Sequence, residues 1–342
     1  MKIKRDELID VLQKVRPGLA ETERVEQATH FVFSDDEIIT YNDQICVIYP
    51  FNSGLACSVP AAELYKVLMS VTADEIEIVL KDDKLKINAG KTKAAIVTQE
   101  GEVIFGYIET LGLNKIKSYR KLPEDFIEGM KMCHFSASRD MTDIRLTGLF
   151  VDDDAIISTD DLRISRYIFA NEKGLGVTFN IPAMAVEELI KFPVVKFATN
   201  DLWAFFVTGD GIIFGARLLI KDFPDVEGYF KFSGIKVTLP EDFAKSVEIA
   251  SIMTTGEVAR DELIEVQVTR DVIRCKGKGK RGWIENEMEM NDKLVSPDFS
   301  FLINPYFLLM ILKHTREMIY GDNRAMFKAP NFNHIMSIRS AE

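Results

Sequence analysis

Three stretches of the chain carry one pattern of apolar and polar positions: FVFSDDEIITYND at 31–43, LFVDDDAIISTDD at 149–161 and VQVTRDVIRCKGK at 266–278. Each alternates apolar with other residues, breaks at a polar pair, alternates again and breaks a second time. That is the signature of strands joined by tight turns. Ile38, Ile156 and Ile273 correspond at separations of 118 and 117 residues, and Asn42, Asp160 and Gly277 keep those separations. Upstream, Leu8-Leu12-Val15, Phe126-Met130-Cys133 and Phe243-Val247-Ala250 place apolar residues at i, i+4 and i+7, one stripe of a helix. The lead-in LPEDF recurs at 122–126 and 239–243. Downstream, VPAAELYKVL (59–68), IPAMAVEELI (181–190) and INPYFLLMIL (303–312) predict a second helix opened by proline, whose missing amide costs nothing in the first turn.

The pattern predicts a triplicated α+β chain, each unit running helix, strands, helix, strands over about 114 residues, a normal domain length. The expected domains are 1–119, 120–236 and 237–342.

Bulk properties narrow the class. With 342 residues, 47% hydrophobic and 28% charged, the chain has the composition of a soluble globular protein. No run approaches the ~18 apolar residues of a membrane span, and the amino terminus MKIKRDELIDVL lacks the apolar core of a signal peptide; a cytoplasmic protein is expected. Cys46, Cys57, Cys133 and Cys275 form no CxxC pair, and His30, His134, His314 and His334 show no ligand spacing with them. Neither a disulfide framework nor a metal site is expected, and no cofactor is implied. A net charge of −11 opposes phosphate binding unless the cations are segregated on one face.

The segment ISTDDLRISRY at 157–167 offers the strongest case for an enzyme. A metal-dependent phosphodiesterase would gather Asp153, Asp154, Asp160 and Asp161 on one ion. These aspartates fall in successive turns, and the other repeats fill the place of Asp160-Asp161 with Asn42-Asp43 and Gly277-Lys278. All are turn formers, so a structural turn is the better reading and no catalytic residue is assigned. The other alternative is a non-catalytic protein-binding scaffold.

With the triplication established, the chain resembles the bacterial DNA polymerase III beta subunit, the sliding clamp family, along its whole length. STDDLRIS is similar to that family's middle-domain motif through Thr159, Asp160, Arg163 and Ile164, with Asp161 and Leu162 departing from its Gly-His. ARLLIKDFPD at 216–225 resembles the segment closing the middle domain. IMSIRSAE resembles the family's apolar tail, with Ser337 where proline is usual. The resemblance implies a head-to-tail ring dimer around duplex DNA, sequence-independent and non-catalytic, lined by helices and walled by sheets. Its implied partners are the replicative polymerase, the clamp loader and other clamp-binding peptides; a membrane is not among them. For the peptide groove it implies a wall of Leu146, Thr159, Arg163 and Ile164, a floor of Pro224 and Tyr229, and a lip of Met336, Ile338 and Arg339. For the ring joint it implies Lys91 and Lys93 facing Glu285 and Glu287 (with Glu289 beyond), and apolar contacts from Ile252 and Met253. At the mouth of the hole it implies Arg24, Arg139 and Arg145.

Two physical checks agree. Twelve helices spaced 8–10 Å apart enclose a diameter of ~32–38 Å, room for a duplex roughly 20 Å wide, whereas six would not. Lys14, Lys131 and Lys245 lie opposite the apolar stripe of each first helix, and Lys66, Lys191 and Lys313 sit on the second helices, which would give a basic lining. The run KGKGKRG at 276–282 reads as a solvated hairpin tip or a further phosphate contact; it lacks the spacing of a nucleotide loop.

Overall fold

A computed structural model describes residues 1–170, 174–231, 233–254, 261–290, 297–321 and 323–341. It forms two compact units, Met1–Ile127 with Phe179–Ile220, and Glu128–Thr178 with Lys221–Glu342.

In the first unit the antiparallel strands Ala56–Pro60, His30–Ser34, Glu37–Tyr41 and Ile45–Pro50 continue through Ile213–Arg217, Trp203–Thr208, Val194–Thr199 and Arg120–Lys121. Half of this sheet comes from the first predicted repeat and half from the second. They join where Ile45–Pro50 pairs with Ile213–Arg217, Val47 opposite Phe214. A separate sheet orders Lys2–Lys4, Glu75–Lys81, Lys84–Ala89 and Thr92–Val97.

The second unit repeats the plan. Gly148–Val151, Ala155–Thr159 and Arg163–Ile168 continue through Phe332–Ser337, Arg324–Ala329, Glu317–Tyr320 and Ile235–Thr238. Here the seam pairs Arg163–Ile168 with Phe332–Ser337, Ser165 opposite His334. A five-stranded sheet orders Gly282–Glu289, Val272–Gly279, Ile264–Val268, Phe299–Ile303 and Arg339–Ser340.

The predicted helices form at Arg5–Val15, Ala61–Ser70, Phe126–His134, Ala183–Leu189, Phe243–Ser251 and Pro305–Leu312. Pro60 and Pro182 sit at the N-cap with extended ψ, one step earlier than predicted. Pro305 is inside the first turn, and Asn304 caps it by accepting the Phe307 amide at 2.9 Å.

Strand burial separates the two kinds of sheet. Ala155–Thr159 and Trp203–Thr208 are buried along their whole length, whereas Lys84–Ala89, Ile264–Val268 and Gly282–Glu289 alternate. A strand buried on both faces needs cover on both. One face of each joined sheet meets helices. The other is covered by a segment between repeats: the unpredicted helix Glu102–Thr110 packs Ile104, Phe105 and Ile108 over Val32, Ile39, Ile48 and Phe205. In the second unit Phe223, Val226 and Phe230 cover Ile157, Ile164, Met326 and Ile335.

Two turns differ in kind. Asp160 and Asn42 form the predicted turns, with positive φ at Asp161 and Asp43. Gly277 does not occupy a turn. It lies within Val272–Gly279, and the chain reverses at Lys280-Arg281, where Gly279 pairs with Gly282. A Cβ at Gly277 would lie 1.7 Å from the Ala250 carbonyl oxygen, so that glycine serves close approach of helix and strand.

Candidate partner-binding site

Side chains alternate across a strand, so Arg163–Ile168 presents Arg163 and Ser165 to the helices and Ile164 and Arg166 to the opposite face. On that opposite face Ile164 joins Val226, Ile319, Met326 and Ile335, with Phe150, Phe223 and Phe230 packed against them. Phe223 stacks on Phe150 at 5.1 Å between ring centres. Arg166 lies 3.8 Å over the Phe230 ring and pairs with Glu227 at 2.9 Å. Tyr229 projects outward, 51% exposed, its carbonyl accepting from Arg324 Nη1 at 3.2 Å and its ring under the same guanidinium. Beside it a cavity of about 460 Å³ is lined by Ser233, Gly234, Ile235, Tyr320, Gly321, Asn323 and Arg324. The Asn323 carbonyl accepts the Ile338 amide at 3.1 Å, so the chain end runs along this region.

On the helix-facing side, Arg163 is caged. Its Nε donates to Asp160 at 2.9 Å, and its guanidinium lies 3.9 Å from the Phe307 ring centre and 5.4 Å from that of Phe135. Met336 is its cross-strand partner. Asp160 Oδ1 also accepts the Leu162 and Arg163 amides, at 3.2 and 3.1 Å. Burial raises the Asp160 carboxyl above its ordinary value against the pull of Arg163, and burial lowers Arg163 against the pull of Asp160. Desolvation thus outweighs pairing for both partners.

Of the implied groove residues, Leu146, Thr159, Arg163, Ile164, Met336 and Ile338 are buried, Pro224 is half-buried, and Tyr229 and Arg339 are exposed. Ile164 lies in the apolar cluster beside Phe223 and Phe230. Arg163 and Met336 lie on the other face, so Arg163 holds the Asp160 turn and is not free to hold a peptide carbonyl. Arg324, Asn323 and Phe230 were not picked out from sequence, and Phe223 entered only as part of the ARLLIKDFPD resemblance, not as a site residue; the aromatic spacing within FPDVEGYF was the one visible signal.

Nothing here favours catalysis. Asp153 accepts the Gly176 amide at the turn after Gly148–Val151, and Asp160 lies at the far end of Ala155–Thr159. Among the described residues no group of three or more His, Cys, Asp or Glu could hold a metal ion. Ser165 Oγ does lie 2.9 Å from His334 Nδ1 and 2.7 Å from Ser136 Oγ. Ser165 and His334 are wholly buried, and burial holds the imidazole well below its ordinary pKa. A nucleophile needs an exposed oxygen and a carboxylate-oriented base; this chain of polar groups serves the seam.

No protein-family model and no curated protein matches the chain. Solved structures do. The DNA polymerase sliding clamp of Bacillus subtilis superposes with a TM-score of 0.85 at 14% identity, over 100% of this chain and 99% of that one. The DNA polymerase III subunit beta of Pseudomonas aeruginosa gives 0.82 at 14% identity, over all of both chains. The fold is that of the bacterial sliding clamps. A third clamp structure, the Helicobacter pylori beta clamp bound to a DNA ligase peptide, gives 0.82 at 15% identity over 99% of each chain.

The remaining residues implied by the clamp resemblance lie as follows. Lys14, Arg24, Lys66, Lys131, Arg139, Lys191, Lys245 and Lys313 are exposed, although Lys191 pairs with Glu188 at 2.8 Å. Arg145 is half-buried and grips Asp143 through Nε and Nη2. Lys91, Lys93, Glu285 and Glu287 are exposed, and Ile252 is 68% exposed with Met253 beside it at 37%. Glu287 already pairs with Arg274, and Glu285 with Lys276. Among the described residues no helix is long and apolar enough to cross a membrane.

Proposed function

We propose that this chain is a DNA sliding clamp: two copies close head to tail around duplex DNA and tether a replicative polymerase, a clamp loader and other peptide-bearing partners in the cytoplasm, with no catalytic step of their own. The clamp fold along the full chain carries this reading. It is supported by the division of both joined sheets between successive repeats, consistent with domains 1–119, 120–236 and 237–342, and by lysines on the exposed sides of helices from all three. The apolar cluster around Ile164, with Tyr229 and the adjoining cavity, supplies greasy anchors and polar rims suited to a short peptide, the class of ligand carried by the Helicobacter clamp.

The test assembles the protein, by dilution and reconcentration, in the presence of nicked circular plasmid and follows it through gel filtration in high salt. Co-elution with circles and release on linearisation is expected. Equal retention on circular and linear DNA, or none on either, overturns encirclement and leaves a scaffold.

A further inference from the structure

The run KGKGKRG at 276–282 belongs neither to the peptide site nor to the helical lining. It closes the hairpin of Val272–Gly279 with Gly282–Glu289, the edge strand of its sheet. In each repeat this hairpin meets the carbonyl end of the first helix. Thr40 Oγ1 donates to the Val15 carbonyl, Ser158 Oγ to that of Cys133, and Gly277 lies against that of Ala250. From that shared level the third hairpin reaches further. Past the pairs Tyr41–Cys46 and Thr159–Ile164 the chain turns back through four residues, 42–45 and 160–163; past the equivalent pair Lys276–Glu285 it runs through eight, 277–284. Two extra residues per strand add about 7 Å at roughly 3.3 Å each.

The charge pattern changes where this hairpin outgrows the other two. Cys275 and Gly277 are buried, so alternation turns Arg274, Lys276 and Lys278 outward. Arg274 lies opposite Glu287 and is ion-paired with it, and Lys276 lies opposite Glu285 at 3.8 Å. The next rung sets Lys278 opposite Trp283, an indole where the ladder has so far placed carboxylates. Lys280 and Arg281 follow at the turn, and all three cations are exposed. Among the described residues none of the three has an ion-pair partner. Nor do they serve the helix end, because Gly277 faces Ala250 and Lys278 points the other way. In a chain of net charge −11, three uncompensated cations on one protruding tip form a local field that attracts a polyanion. Resting on the clamp reading above, we propose that Lys278, Lys280 and Arg281 grip the sugar–phosphate backbone of duplex DNA, a contact of the third repeat separate from the helix lysines. Arg24 and Arg139, implied at the mouth of the hole, follow the first and second of these helices; the hairpin brings charge to the same end of the third. A duplex carries one phosphate charge per ~1.7 Å of its axis. That density, rather than an acidic protein face, matches three cations set within four residues of chain, and it is the same for every sequence.

The test follows the full-length protein binding a short, blunt, dye-labelled duplex by fluorescence anisotropy across a salt series. Wild type is compared with K278Q/K280Q/R281Q and with K115Q/K117Q/K121Q, which removes the same charge from exposed lysines elsewhere. Each phosphate contact contributes about 0.9 to the slope of log Kd against log salt. The tip variant is expected to flatten that slope by about 2–3 and to weaken binding roughly tenfold or more at low salt, while the control variant keeps the wild-type slope. No binding by wild type at low salt, an unchanged slope in the tip variant, or equal losses in both variants overturns the assignment. Binding to polyglutamate lost in the tip variant, with DNA binding intact, also overturns it and gives the cations to an acidic protein. A short duplex has free ends and needs no enclosure, so the two readings fail separately. Wild type that binds it through the tip but is not retained on circular plasmid overturns the ring alone; retention on circles with an unchanged slope in the tip variant overturns the tip alone.

Discussion

Arg163 shows how a side chain can look functional in sequence and be structural in place. A basic residue behind an acidic turn, in a strand bordering a proposed peptide site, suggests a contact to the ligand. Strand alternation sends it the other way, onto Phe307 and Asp160. A buried ion pair adds little net stability, but removing one partner strands the other. R163A is therefore expected to destabilise the protein by about 3–5 kcal/mol in chemical denaturation, and D160N in the same background should recover part of it. A loss below about 1 kcal/mol, the range of exposed pairs, would show that Asp160 reaches water and that the cage is loose.

At the scale of elements, the period of the pattern was the legible part. Paired strands, proline-opened helices and the turn at Asp160 could be read because each is dictated by neighbours in sequence. Gly277 was misplaced because a turn glycine and a close-packing glycine look alike; only the helix Phe243–Ser251 behind the strand distinguishes them. G277A would thus force apart a helix and a strand rather than strain a turn, and about 1–3 kcal/mol of destabilisation is expected, as for other overpacked sites. Equal stability of G277A in denaturant would mean the helix shifts freely. The helix Glu102–Thr110 was missed, and the covering role of Phe223–Phe230 was not read although Pro224 and Tyr229 were placed in the groove, for a related reason. Glu102–Thr110 and Phe223–Phe230 lie outside the repeat pattern, and their apolar residues make sense only against the second faces of sheets formed by strands far away in sequence. The candidate site inherits that blindness, since Phe223, Phe230 and Arg324 converge only once Arg163–Ile168 and Phe332–Ser337 have paired across more than 160 residues of chain.

For the whole molecule, the covered seams and the open edges differ in more than burial. Each seam inside the chain brings together strands already linked by peptide bonds, so its effective concentration is set by the chain and does not change on dilution. The joint between copies has no such tether, and the outward faces of its sheets carry Lys84, Lys86, Arg274 and Lys276, with Val97 and Trp283 exposed at the edges themselves. Dilution should therefore part the copies while leaving every internal seam closed. The two tryptophans provide the readout: Trp203 is buried inside the first unit, and Trp283 is exposed on the edge strand Gly282–Glu289, which carries Glu285 and Glu287 of the implied joint. Emission is expected to shift to the red on dilution, with no loss of far-ultraviolet circular dichroism and no shift in W283F. A simultaneous loss of circular dichroism would mean that folding depends on the partner. What would distinguish the joint of the proposed dimer from the seams is thus the absence of a covalent leash, and a ring of sheets closed by only two unleashed links could be taken apart and remade at those links without unfolding anything.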